Sequence, residues 1–332
     1  MPDMSEMPGT GGLEPLTWGR FFGTWDIHLG WLIGAVVLLV GYLLAWSAAG
    51  ASSTVRTWRV ASFVTGVVLL WVTVSSAIGA YAMALFWMHM VMHLLLIMVV
   101  PALLVLGHPL TVLAEGGPPV VGRVLRSRAT WLLTHQVTGV VVYTVVIVGT
   151  HLTGFMDAMA RHGWLMWGEQ ILYVVAGWLL LTPLIGEESV RANPPYLLRI
   201  LVLVAAMIPD TIVGIVLLQA GTVPFPVLMG RRPSWALDAL SDVHTAGGLM
   251  WAGGDGLMMF IAVGLMISVI TSPGRRLKMT GAWLDGARRA ALAAHSGGSD
   301  DAAADVDPDS DEAHDAYNRM LAQLRERERG RP

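Results

Sequence analysis

Residues 86–100 read Phe-Trp-Met-His-Met-Val-Met-His-Leu-Leu-Leu-Ile-Met-Val-Val, and they place two histidines, His89 and His93, inside a run apolar enough to cross a bilayer. An ionisable ring in hydrocarbon is costly, and such groups mark functional sites by default. On a helix, the four-residue spacing stacks both rings on one face, about 6 Å apart. Met88, Met90 and Met92 lie around them. Soft thioethers beside imidazoles suit copper(I).

Outward from this stretch, the chain is written for the same apolar solvent. Of 332 residues, 55% are hydrophobic and 14% charged, whereas about a quarter of a soluble domain is charged. The expected fold is therefore an all-α integral membrane protein. Hydrocarbon about 30 Å thick needs spans of about 20 residues. Seven apolar runs meet this, at about 27–46, 60–79, 82–106, 131–150, 165–184, 197–219 and 245–271, and they predict seven transmembrane helices in one bundle. Trp18, Trp25, Trp46, Trp58, Trp131 and Trp164 fall near span ends, as interfacial indoles do.

Ten basic residues near span ends fall on one set of loops (Arg56, Arg59, Arg123, Arg126, Arg128, Arg191, Arg199, Arg275, Arg276 and Lys278) and four on the other (Arg20, Arg161, Arg231 and Arg232). The positive-inside rule then puts the N-terminus outside and the C-terminus in the cytoplasm. The opening residues show no basic, cleavable signal, so the first span is expected to direct insertion. The expected organisation is an outer tail over 1–26, a membrane domain over 27–272, an interfacial helix over 273–295 and, over 296–332, an acidic linker with a short amphipathic helix. Met1, Met4 and Met7 recur in the tail, where a run of Met near the chain start explains them better than copper collection does.

With no cysteine in the chain, thiolate ligation and disulfides are excluded, and any metal site must use His, Met, Asp or Glu. The net charge of −3, with basic residues scattered over loops, gives no basis for nucleic-acid binding. In the predicted topology His28, His89, His93, His151 and His244, with Glu169, Asp210 and Asp255, all fall in the outer half of the bilayer. Of the histidines of the membrane domain, the inner half holds only His135, near a span end, and His108, in a loop. Helix-joining hydrogen bonds would show no such preference, whereas a site fed from outside requires it. Asp210 and Asp255 suit either a proton relay or a shell that orients the histidines. The glycines of residues 247–256 permit close helix packing or a locally unwound backbone. No nucleophile–base pair or cofactor motif points to an enzyme.

The run His89-Met-Val-Met-His93-Leu-Leu-Leu, followed by Pro101-Ala-Leu-Leu-Val-Leu-Gly107-His-Pro109-Leu, resembles the signature span of the CtaG-type (caa3) cytochrome c oxidase assembly factors. The resemblance continues through Thr150-His151-Leu, Ala176-Gly177-Trp178, Pro183-Leu-Ile-Gly186 and Gly247-Gly248-Leu-Met-Trp251 to Gly254-Asp255, over about 27–272, with the substitutions of a divergent member. It implies a non-enzymatic factor in a bacterial plasma membrane that matures a haem–copper terminal oxidase. Carried over by position, it implies copper at His89, His93 and His151 with the block over residues 247–255; the residues themselves add Met92 and Met88 as ligands of Cu(I). Asp210, Asp255, His244, Glu169 and His28 would serve as further ligands or supports. Its partners would be oxidase subunits or other assembly factors. Haem on outer-half histidines and a structural oxidase subunit are the alternatives; a transporter is disfavoured because polar groups do not continue into the inner half.

Overall fold

A backbone surrounded by hydrocarbon must satisfy its N–H and C=O groups within its own segment, which makes helix the only open structure available to these apolar runs. The computed structural model describes residues 13–190, 194–271, 287–288, 290–291 and 311–329. Among them there is no strand, and Trp25 and Ser76 make one isolated bridge. Helix α1 (Trp18–Gly23) precedes α2 (Leu29–Ala49), α3 (Thr57–Ser75) and the short α4 (Ala77–Tyr81). The histidine-bearing α5 (Phe86–Leu94) runs through a π turn at Leu95–Val99 into α6 (Val100–Leu106). Three short helices follow, α7 (Pro109–Gly116), α8 (Pro119–Leu125) and α9 (Arg128–Leu133). Then come α10 (Gln136–His151), α11 (Phe155–Arg161), α12 (Trp164–Ile185), α13 (Tyr196–Leu218), the one-turn α14 (Pro226–Met229) and α15 (Ala239–Thr271).

Among the described residues six helices are long and apolar enough to cross a membrane: Leu29–Ser52, Thr57–Ser75, Phe86–Gly116, Trp164–Ile185, Tyr196–Leu218 and Ala239–Ser268. The expected fourth span, 131–150, is instead interrupted. Helix α9 stops at Leu133 and the 16 residues of α10 start at Gln136, a rise of about 24 Å. Only together with α11, bent from it by 66°, does α10 qualify, so the count is six, or seven with the bent pair taken as one span. The break has a local cause. Thr134 and Thr138 hydroxyls donate to the carbonyls of Thr130 and Leu132 at 2.8 and 2.7 Å, and His135 Nδ1 accepts from the Val137 N–H at 3.3 Å. Side chains that bond nearby backbone in this way compete with helix continuation.

The histidine-bearing segment is the axis of the bundle. Its most apolar window is 67% buried, against 22% for those of the α2 and α15 spans. Pro101 has no N–H to give to the Ile97 carbonyl, and the helix widens into its π turn beside that position. Gly177 of α12 closes on the same point: a Cβ there would come within 1.8 Å of the Ile97 oxygen. On the periphery, Val36, Leu44, Val145, Ile171, Ile212 and Phe260 are exposed. In water such a surface would be a liability; among lipid tails it is solvated.

Between α13 and α15 the glycines allow close contact. A Cβ on Gly247 would meet the Leu218 nitrogen at 2.4 Å, and one on Gly254 the Asp210 carboxylate at 1.7 Å. Because α15 is continuous through residues 247–256, the unwound alternative does not hold, and close packing accounts for Gly247, Gly253 and Gly254. Residues 13–26 pack onto the bundle, with Tyr81 donating to the Glu14 carbonyl at 2.9 Å and Trp235 to that of Leu13 at 2.7 Å.

The chain divides into two compact units, residues 1–262 and 263–332. The second holds the last turns of α15 and a helix α16 (Asp311–Arg329), on which Tyr317, Met320 and Leu321 recur at helical spacing. The Met1, Met4 and Met7 tail, the linker over 296–310 and most of the interfacial helix expected over 273–295 lie outside the described residues; 287–288 and 290–291 are helical.

Candidate metal centre

The site begins with the anchoring of α5. Asp242 of α15, fully buried, accepts from the N–H groups of Phe86 and Trp87, one per carboxylate oxygen, both at 2.9 Å. A carboxylate at this end satisfies donors that have no partner within the helix and complements its dipole. Arg232 stands 3.6 Å from the same carboxylate. One turn further on is His89, and one turn beyond it His93; both are buried.

Helix α10 ends on His151, whose ring centroid lies 5.1 Å from that of His93 and 6.4 Å from that of His89. Helix α12 contributes Glu169 and, four residues on, Tyr173. Glu169 Oε1 stands 3.6 Å from His89 Nε2 and accepts the Tyr173 hydroxyl at 2.6 Å. The Tyr173 ring packs 4.3 Å from that of His93, centroid to centroid. Three helices thus bring three imidazoles, one carboxylate and one phenol together, with every member buried.

Hydrogen bonding decides what the rings can do. His151 Nδ1 lies 3.0 Å from the Ile147 carbonyl and 2.8 Å from Thr150 Oγ1. A carbonyl can only accept, so Nδ1 carries the proton and Nε2 keeps its lone pair. That Nε2 has no hydrogen-bond partner, nor have both nitrogens of His89, both of His93, or Glu169 Oε2. Buried polar groups are paired in nearly all cases, and six unpaired atoms at one locus call for an explanation. Among the described residues no three His, Asp or Glu side chains stand ready-made around one ion. Ring nitrogens without hydrogen bonds are, however, free to turn toward one. His151 also borders a cavity of about 400 Å³ with Leu152, Leu217 and Phe225, which leads to the ring from the end of the bundle.

The remaining sequence-predicted residues are distributed differently. Met88 belongs to an apolar cluster with Ala77, Tyr81, Ala84 and Leu85. Met92 Sδ lies 3.6 Å from Gln170 Nε2. His244 Nε2 donates to the Ala220 carbonyl at 2.9 Å, and His28 pairs with Asp26 at 3.6 Å. Asp210, buried against Gly254, and Asp255, which accepts from Thr211 at 2.8 Å, form a second polar locus beside Tyr143. Tyr143 precedes His151 by eight residues, about 12 Å along α10, and no hydrogen bond joins either aspartate to a described histidine. The carboxylate beside the imidazoles is Glu169, and Asp210 and Asp255 do not share that place.

Sequence reasoning did not single out Tyr173, Thr150, Gln170 or Asp242. Tyr173 was within reach, since it lies four residues from Glu169 on one helical face. Asp242 was not, because it caps a helix more than 150 residues away in the chain.

Residues 29–272 match the family model described as the cytochrome c oxidase caa3 assembly factor. An uncharacterized protein of Mycobacterium bovis and one of Mycobacterium tuberculosis are each 29% identical over 328 residues, covering 94% of this chain and 46% of theirs. An uncharacterized protein of Mycobacterium leprae is 28% identical over 262 residues, covering 74% of this chain and 40% of its own. The chain therefore spans less than half the length of these curated relatives. No solved structure matches it.

Proposed function

The chain belongs to the family of cytochrome c oxidase caa3 assembly factors, and from that premise we propose that it helps mature a haem–copper terminal oxidase by holding copper(I) at His89, His93 and His151. The family is one of assembly factors, and the chain is not an enzyme. One observation carries the copper reading: His89 and His93 in the most buried span of the bundle, with the neighbouring ring of His151, leave five imidazole nitrogens without a protein hydrogen-bond partner. If the rings served to join helices they would be making those bonds. Imidazole ligates several metals, and charge narrows the choice. Glu169 is the one carboxylate beside the three rings. Buried charge has to be compensated locally, and a single carboxylate offsets a monovalent ion, leaving a divalent one in excess.

In this reading copper is cargo. The Ile147 carbonyl holds the His151 proton on Nδ1 and keeps Nε2 for the ion, while the Tyr173 hydroxyl orients Glu169 beside His89. Thioether ligation by Met92 would require Gln170 to release the sulfur, and Met88 packs elsewhere. With α10 and α11 taken as a bent fourth span of seven in the bacterial plasma membrane, the excess of Arg and Lys on one set of loops turns the histidine end outward. Oxidase subunits would receive the metal at that face.

The test is made in the cell. In a strain lacking the gene and complemented with His89→Ala/His93→Ala, the terminal oxidase should accumulate with haem but without its copper, and the wild-type gene should restore it. An oxidase with full copper in the deletion strain contradicts the proposal, and loss of haem in place of copper would turn the site toward haem handling.

A further inference from the structure

A second group of soft ligands lies outside the histidine cluster, around a cavity of about 460 Å³ at the same end of the bundle. Met83, between α4 and α5, Met159 on α11, Met166 on α12 and His28 at the start of α2 all line it. Methionine is usually a gap-filler enclosed on every side. Met88, Met90, Met92 and Met98 fit that pattern at 0–1% exposure, whereas Met83 and Met166 are only partly buried and border open space. Met83 and Met166 thus border open space with one imidazole, while Met159, enclosed at 1% exposure, stands in the same wall together with Asp26 and Arg231. The His151 cavity has no thioether in its wall.

The two loci share a partition, Gln170. Its side chain borders the cavity, its Oε1 accepts from Trp31 at 2.9 Å, and its Nε2 lies 3.6 Å from Met92 Sδ. Met92 adjoins His93 and stands three residues from His89, and Glu169 next to Gln170 faces His89. A thioether is a weak acceptor, so the Trp31 bond is what fixes the amide against the sulfur. Turning Gln170 would free Met92 Sδ between the cavity and the imidazoles.

We infer that the cavity lined by Met83, Met159, Met166 and His28 is a weak docking site for a soft monovalent metal ion, which passes by way of Gln170 and Met92 to the histidines. Ligand exchange alone moves the ion, with no change of oxidation state. The inference rests on the copper reading of the histidine cluster, and its test separates the two.

Purified full-length protein is titrated with copper(I) against a competing chelator, and loading is followed by stopped flow. Wild type should show one tight and one weaker class of binding. Met83→Leu/Met159→Leu/Met166→Leu, a swap that conserves volume, should abolish the weaker class and slow loading of the tight site at least tenfold, with final tight stoichiometry unchanged. Met166→Leu alone, at a partly exposed position, should slow loading severalfold if the triple variant folds poorly. His89→Ala/His93→Ala should keep only the weaker class. Unchanged loading and unchanged weak binding in the methionine variants would overturn the inference and leave the histidine site standing. Weak binding lost with the methionines in a protein that lacks any histidine-dependent tight site would sustain the docking cavity and remove the copper reading of the cluster.

Discussion

Both ends of the bundle bury ionisable groups: Asp242 at the histidine end is paired like the groups at the opposite end, and the imidazole cluster near it is not. At the end holding α7, Glu188 accepts from the N–H groups of Leu110 and Thr111 at 3.2 and 2.8 Å and from the Thr111 hydroxyl at 2.6 Å. Arg199 donates to the carbonyls of Pro194 and Leu184, Arg59 contacts His108, and the Tyr42 hydroxyl donates to the Gly107 carbonyl. Every group there closes a helix end or a loop. At the histidine end six nitrogen and oxygen atoms of His89, His93, His151 and Glu169 have no such partner. The imidazole cluster is therefore distinguished from the Glu188 end by unpaired buried atoms, a property that Asp210 and Asp255 share.

The comparison breaks most visibly at Glu188. Glu188→Ala would leave two backbone N–H groups and one hydroxyl unpaired, each costing about 1–3 kcal/mol. A loss of about 3 kcal/mol or more is expected, read as a lower midpoint of thermal unfolding in detergent. An unchanged midpoint would show that this end is not the structural one.

A smaller effect sharpens the same contrast. Burial pushes the Glu188 carboxyl up from 4.5 to about 7, against the opposing pull of the Thr111 and Leu110 hydrogen bonds and the Arg59 charge. The folded chain then holds this proton to higher pH than the unfolded chain does. Glu188 should thus favour folding most below pH about 4.5 and progressively less as pH rises through about 7. Glu188→Gln keeps an acceptor but removes the titration. Its unfolding midpoint, scanned from pH 4.5 to 7, should lose the decline due to this group, and a slope identical to wild type would count against the assignment.

Why one end is readable from sequence and the other only in part is a matter of geometry. Helical runs follow from length and hydropathy, and all but one lie close to their expected positions. The exception, broken at Thr134–His135, is decided by side-chain hydrogen bonds that an apolar average cannot register. His89, His93 and His151 were legible because ionisable rings in hydrocarbon stand out by composition. Neighbours were not: Asp210 and Asp255, expected level with the histidines, belong to the locus of Gly254, Thr211 and Tyr143, which lies about 12 Å along α10 from His151. The Asp242 cap and the Gln170 partition depend on tertiary neighbours far away in the chain, for which no local pattern exists.

The central claim is that the histidine cluster is kept for a ligand and not for the fold, and one paired measurement addresses it. Copper(I) affinity and metal-free thermal unfolding are recorded on the same preparations of wild type and His89→Leu/His93→Leu. Replacing unpaired buried polar groups by apolar ones of similar size is neutral or stabilising. The account predicts loss of the tight copper(I) ion, with a midpoint unchanged or raised. Retention of that ion in the variant, or a fall of several kcal/mol in its metal-free stability, would contradict it.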